Sequence, residues 1–187
     1  FDTVRGVEQY IDTTSTAAPV TNNATVTAFN DNGFTMGSSS YVNSVDPFAS
    51  WTFRKEKGFF TIVEWTGNGV AGKTVSHDLG CVPGCMIVRR ITSGGSPATS
   101  DWTVYHTSLG GTKSQRLNDA GATMTGAGPW NDTAPTDSVI TLGSSADVNE
   151  NNSGYIAYVF AGANVTRWSD MISPASGTFD QPASLAF

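Results

Sequence analysis

Phe34–Phe53, FTMGSSSYVNSVDPFASWTF, recurs as Ile140–Phe160, ITLGSSADVNENNSGYIAYVF. Six of the first ten positions are identical, the T, G, S, S, V and N. A one-residue length change follows, and then a closing aromatic run, FASWTF against YIAYVF. The match extends upstream, where FDTVRG at Phe1–Gly6 lines up with YHTSLG at Tyr105–Gly110 and Ile11 falls near Leu117. A repeat of about a hundred residues predicts one structural unit used twice. The alignment sets the expected organisation. Residues 1–53 are the trailing part of a first repeat, 54–160 a complete second repeat, and 161–187 a linker into a following domain. It also puts Phe1 inside a unit, which predicts a fragment of a longer polypeptide.

Outward from the repeat, the chain reads as short strands separated by turns. Val26–Phe29 and Phe34–Gly37 flank the turn Asp31-Asn32-Gly33. Phe48–Arg54 alternates large and small residues and predicts a strand. Phe59–Trp65, FFTIVEW, is β-branched and aromatic. Thr74–Leu79 predicts a short edge segment. Cys85–Ile91 opens as a continuous apolar run, the mark of a strand covered on both faces. Trp102–His106, Ser138–Leu142 and Tyr155–Phe160 complete the unit. No twelve-residue window carries a 3.6 period, so no long helix is expected. The predicted class is all-β, an antiparallel β-sandwich or jelly-roll-like fold with an internal repeat.

Composition narrows the function. Ten Lys+Arg against sixteen Asp+Glu give a net charge of −6, and only 14% of residues are charged. The longest basic cluster, Arg54-Lys55-Glu56-Lys57, is broken by an acid and reads as a solvated turn. That argues against nucleic acid as a partner. No apolar run approaches the roughly 20 residues of a membrane-spanning helix, so membrane insertion is not expected.

The motifs are sparse. Gly67–Thr74, GNGVAGKT, fits the phosphate-loop spelling GxxxxGK[ST]. That loop works only where a helix starts at the Lys and aims its N–H groups at phosphate. The residues that follow, VSHDLGCVPGC, carry Gly, Pro and no helical period, so the stretch predicts a Gly-rich hairpin without nucleotide. His77 has Asp78 beside it and His106 closes a strand, but no nucleophile elbow or zinc-protease motif accompanies them. Glu64, Asp101 and Asp137 are the available carboxylates for a glycosidase pair, and nothing in the pattern singles them out. Cys81 and Cys85, in CVPGC, leave a small-loop disulfide and two free thiols both open. Calcium has weak candidates in Asp31 of the hairpin turn and in Asp147, Asn149 and Glu150 of the Asx-rich loop, which reads otherwise as solvated. No cofactor is expected. Among the five tryptophans, Trp51 and Trp102 fall in strand patterns and read as core. Trp130, in GPWND, is the candidate loop aromatic for stacking on a sugar, against the alternative of packing down over the sandwich edge.

In WTGNGVAGKTVSHDLGCVPGCMIVRR, DWTVYHTSLG, WNDTAPTDSVITLGSS and GYIAYVFA, the chain resembles a module of tailed-bacteriophage structural proteins, especially of phages of marine cyanobacteria. That module runs through a TGNG turn, a HNLG-like segment, a PG turn into an apolar strand, a W-x-V-x-H strand and a final YxAYxF strand. This chain has HDLG in place of HNLG and an additional Cys85 after the PG turn. The resemblance implies a non-enzymatic virion protein of a tail fibre, spike or appendage, located in the particle. Its implied partners are other virion proteins and copies of itself, with host-surface glycan as the candidate ligand. The alternatives are a purely structural capsid or tail decoration protein and, from another class, a glycan depolymerase.

Overall fold

The computed structural model describes residues 1–162. Its strands are β1 (Gln9–Tyr10), β2 (Val20–Thr21), β3 (Val26–Asn30), β4 (Gly33–Met36), β5 (Phe60–Thr66), β6 (Lys73–Ser76), β7 (Pro83–Ser93), β8 (Ser96–Pro97), β9 (Trp102–His106), β10 (Lys113–Arg116), β11 (Met124–Thr125), β12 (Val139–Leu142) and β13 (Ser153–Ala161). One short helix, α1, covers Ala146–Asn149. The fold is all-β and its ladders are antiparallel. The main sheet runs β11-β10-β9-β7-β13-β5, with β8 folded back on β7. Three two-stranded pairs accompany it: β12 with β6, β3 with β4, and β1 with β2.

The two longest strands, β7 and β13, lie side by side at the centre and alternate across the sheet. Met86 and Val88 of β7, Tyr155, Ala157 and Val159 of β13, Val63 of β5 and Tyr105 of β9 share the inner face. The β6–β12 pair covers that face with Val75, Ile140 and Leu142, and Val148, Leu79 and Trp130 close the sides of the same core. The apolar run in β7 is explained by this position. Met86 and Val88 face the core, while Ile87 is half-buried on the opposite face.

The opposite, outer face is covered by the first part of the chain. Residues 12–17 form a strap across it. Trp102 Nε1–H donates to the Asp12 carbonyl at 2.9 Å. Arg89 is fully buried beneath the strap. Its guanidinium donates to the carbonyls of Ala17 (2.5 Å), Ser15 (3.4 Å) and Ser100, and stands 5.3 Å from the centre of the Trp102 ring. Residues 1–53 therefore pack on the 54–160 unit in the same chain, covering its outer face where a separate repeat was expected.

Eight of the nine expected segments fall on or beside observed strands, and the ninth decides the repeat. Tyr155–Phe160 is the heart of β13, held by β5 on one side and β7 on the other. Its counterpart Phe48–Phe53 is not a strand, and no backbone hydrogen bond is made among the described residues from Pro47 to Lys55. The two copies of the motif are therefore not structurally equivalent. Alternation makes a segment competent for a strand, but a ladder needs neighbours on which to pair. Phe34–Met36 of β4 pairs with β3, whereas its counterpart β12 pairs with β6.

Candidate functional site

The residues singled out in the sequence do not converge. Trp130 is only 1% exposed, and its ring meets Tyr105 edge-on at 5.8 Å and 83°. The turn that carries it, closed by Asn131 N–H to the Ala127 carbonyl at 2.8 Å, folds inward over the sheet. The sugar-stacking role is thereby corrected, because neither face of that ring is open to a ligand.

The Asx-rich loop is a brace, which corrects its reading as solvated. Ser145 caps α1 by accepting from Asp147 N–H at 3.2 Å. Asn149 is fully buried. Its Oδ1 accepts from Asn68 N–H at 2.9 Å, and its Nδ2 donates to the carbonyls of Val70 (2.9 Å) and Gly143 (2.8 Å). Glu150 forms an ion pair with Arg90 at 2.5 Å and accepts from the Ser153 and Ser93 hydroxyls at 2.7 and 3.1 Å. The Ser153 bond comes first among the influences that hold its carboxyl below the usual range. Asn149 Oδ1 and Glu150 Oε2 are thus engaged by protein groups. Asp31 sits in the exposed β3–β4 turn, on a different element from Asp147 in α1. Among the described residues no three His, Cys, Asp or Glu side chains gather as a metal site.

The same brace explains the phosphate-loop spelling. Lys73 opens strand β6, not a helix, and pairs with Leu142. Gly67 is required because a Cβ there would lie 2.1 Å from the Glu150 carbonyl oxygen. Small size where two turns cross, not a bound phosphate, accounts for this glycine.

The other catalytic candidates are also dispersed. Asp78 accepts from Thr61 at 2.7 Å and pairs with Lys55 at 2.8 Å, while the neighbouring His77 contacts the Thr136 carbonyl at 3.2 Å. His106 meets Ser108 at 2.6 Å, a local turn contact. Glu64 on β5 lies in register with Ile156, Arg89 and Trp102 across the sheet. Asp101, next to Trp102, is thus three strand spacings away, about 14 Å at the usual separation. A glycosidase pair needs roughly 5–9.5 Å. Asp101 is moreover held by Arg116 at 3.0 Å and Asn118 at 2.9 Å. Asp137 is exposed in the loop before β12. Cys81 and Cys85 are free thiols, and burial pushes both pKa values up, so they stay protonated. Pro83 and Gly84 between them begin β7 where a turn was expected, and a Cβ on Gly84 would sit 2.4 Å from the Gly162 Cα.

What the structure does assemble is an aromatic cleft of about 390 Å³ between the β3–β4 hairpin, residues 48–53 and the β5 end of the sheet. Phe29, Phe34, Tyr41, Phe48, Trp51, Phe53, Phe60 and Tyr158 line it. Trp51 is 77% exposed and Tyr41 72%. At the inner end Phe53 packs edge-on against Phe160 at 5.2 Å and, tilted by 42°, against Phe60 at 5.7 Å. A polar wall adjoins this end. Asp2 is 5% exposed, and its carboxylate accepts from Tyr158 OH (2.7 Å), Arg5 Nε (2.7 Å) and Arg5 N–H (2.9 Å). Burial works to raise the Asp2 pKa, but the Arg5 hydrogen bonds and charge outweigh it and the net shift is downward. Tyr158 is raised above the ordinary phenol value by burial. The carboxylate on this wall is therefore ionised and already satisfied.

Trp130 takes the packed alternative over the sandwich edge, and Trp51, whose segment reads as a core strand, lies in solvent. FASWTF alternates like a strand, and the absence of pairing partners for it is not visible in that pattern. The resulting class is an all-β module with a surface aromatic cleft and dispersed titratable groups. A family described only as a domain of unknown function, DUF7483, matches residues 1–178, and the chain belongs to it. That match crosses the boundary expected between residues 53 and 54. No curated protein and no solved structure matches the chain.

Proposed function

We propose that this protein is a non-enzymatic structural module of a tailed-bacteriophage particle, a segment of a tail fibre, spike or appendage, held by its neighbours through the aromatic cleft. The phage assignment rests on the sequence resemblance. The observation that carries the contact role is the exposure of Tyr41, Phe48, Trp51 and Phe53 together on one surface. Aromatic side chains grouped in this way are the common currency of binding surfaces. The lining favours an apolar protein surface over a free sugar. A glycan site needs side chains that hydrogen-bond hydroxyls beside the stacking rings, and the Asp2 carboxylate on the wall is already engaged by Arg5 and Tyr158. Subunit contact is thus the first reading, and host-glycan attachment is the second, favoured by the exposed faces of Trp51 and Tyr41. A reconstruction of the particle tests both. Residues 41–53 buried against a neighbouring subunit support the first reading, and the same residues facing solvent at a distal tip support the second. Absence of the protein from purified particles, by mass spectrometry, refutes both.

A further inference from the structure

Two elements of the chain have unused backbone hydrogen-bonding capacity, and their sequences belong together. The first is the outer edge of β5. Among the described residues, this seven-residue strand pairs with β13 alone, apart from a single bridge between Phe60 and Glu56. The outward N–H and C=O groups of Thr61–Thr66 have no protein partner there. Such an edge is a template for another strand. The second is Phe48–Thr52, exposed, strand-competent and without backbone hydrogen bonds. The internal repeat connects them. FASWTF matches YIAYVF, and YIAYVF is the part of β13 that fills the other edge of β5, with Tyr155 opposite Trp65 and Phe160 opposite Phe60.

We propose that Phe48–Thr52 of one copy adds as an antiparallel strand to the free edge of β5 in a second copy, joining the two sheets. By analogy with the β13 register, Phe48 lies opposite Trp65, Ala49 opposite Glu64, and Trp51 opposite Ile62. Trp51 then enters the partner copy's cleft, which Ile62 helps to line. The charges are compatible, because PFASWTF brings no carboxylate to face Glu64, the one ionisable side chain on β5. The chain's own β5 is a poor acceptor. Phe53 packs on both Phe60 and Phe160, residues paired across β5 and β13, so it sits over the sheet face. That position directs the preceding residues away from the in-plane edge of the same sheet.

The inference rests on the reading of the module as held by its neighbours. The test mixes two singly substituted proteins, Ala49→Cys and Glu64→Cys, under mild oxidation, with the wild type oxidised in parallel to account for Cys81 and Cys85. A cross-linked dimer whose linked peptides contain positions 49 and 64 is expected from the mixture. A cross-link formed only within single chains of the doubly substituted protein would mean an intramolecular hairpin and would overturn the proposal. No cross-link in either case would overturn it too. Ala49→Pro supplies an independent arm, since Ala49 lies opposite Glu64, whose backbone groups point to the outer edge, proline cannot donate to a ladder, and position 49 makes no backbone hydrogen bond in the single chain. Sedimentation should show association weakened about tenfold or more with thermal unfolding unchanged. Unaltered association would reject the paired strand. A failed cross-link with the protein present in particles overturns the strand pairing alone, whereas absence from particles overturns the broader reading.

Discussion

Arg89 offers the sharpest test of how the outer face is closed. It is a fully buried cation with no carboxylate in salt-bridge range among the described residues. Three carbonyls and one indole ring take the place of a counter-ion. Burial lowers its pKa, but a guanidinium remains charged at neutral pH. Arg89→Ala removes the donors and the stem together. The lost side chain leaves a cavity under the strap, and long-to-Ala changes in cores cost about 2–5 kcal/mol. The carbonyls of Ser15, Ala17 and Ser100 lose their donor, at about 1–3 kcal/mol for each that stays buried. The strap can lift and let water reach Ser15 and Ala17, so the terms do not add in full. We expect a net loss of about 3–5 kcal/mol, as for removal of one side of a buried charged network. Arg89→Lys retains the charge but not the planar fork, and should lose less, about 1–3 kcal/mol. Urea unfolding supplies the magnitudes, and amide hydrogen exchange over residues 12–20 shows whether the strap is released. A loss below about 1 kcal/mol for Arg89→Ala, with unchanged exchange in the strap, would refute the reasoning.

Two further outcomes follow from the burial pattern and from Asp2. Met86→Ala should cost about 2–5 kcal/mol. The adjacent half-buried Ile87→Ala should cost about 1–2 kcal/mol, and equal losses in urea unfolding would mean that β7 does not have one core face. The folded Asp2 pKa is depressed, so its contribution is present above the ordinary carboxylate value and is lost as pH falls through the depressed one. Melting temperature should therefore drop below about pH 4, and Asp2→Asn should remove part of that acid dependence. An identical acid profile in the variant would show that the Asp2–Arg5–Tyr158 group contributes nothing to it.

Much of the fold was legible because strand formation follows local chemistry. The alternation and β-branching of Phe59–Trp65, Trp102–His106 and Tyr155–Phe160 put strands β5, β9 and β13 within a residue or two of where they are found. The run CMIVRRI placed β7 at the centre of the sheet. Glycine, proline and the missing helical period in the sequence remove the nucleotide-loop reading, and Lys73 begins a strand.

The sequence alone determined the class of structure, the centre of its sheet and the existence of a repeated motif. Tertiary structure decided which copy of that motif becomes a strand, because a ladder exists only where two partners are brought alongside. It also decided which tryptophan meets solvent. Trp51 and Trp130 differ in exposure by the packing around them, and nothing in their immediate neighbours in the sequence records it. Asn149 and Arg89 are the same case in polar form. Each looks like an ordinary surface residue in the chain, and each is buried because its hydrogen bonds go to carbonyls or N–H groups that only folding brings near. Those partners are up to 81 residues away from Asn149 and 74 from Arg89, and local pattern carries no information over such distances.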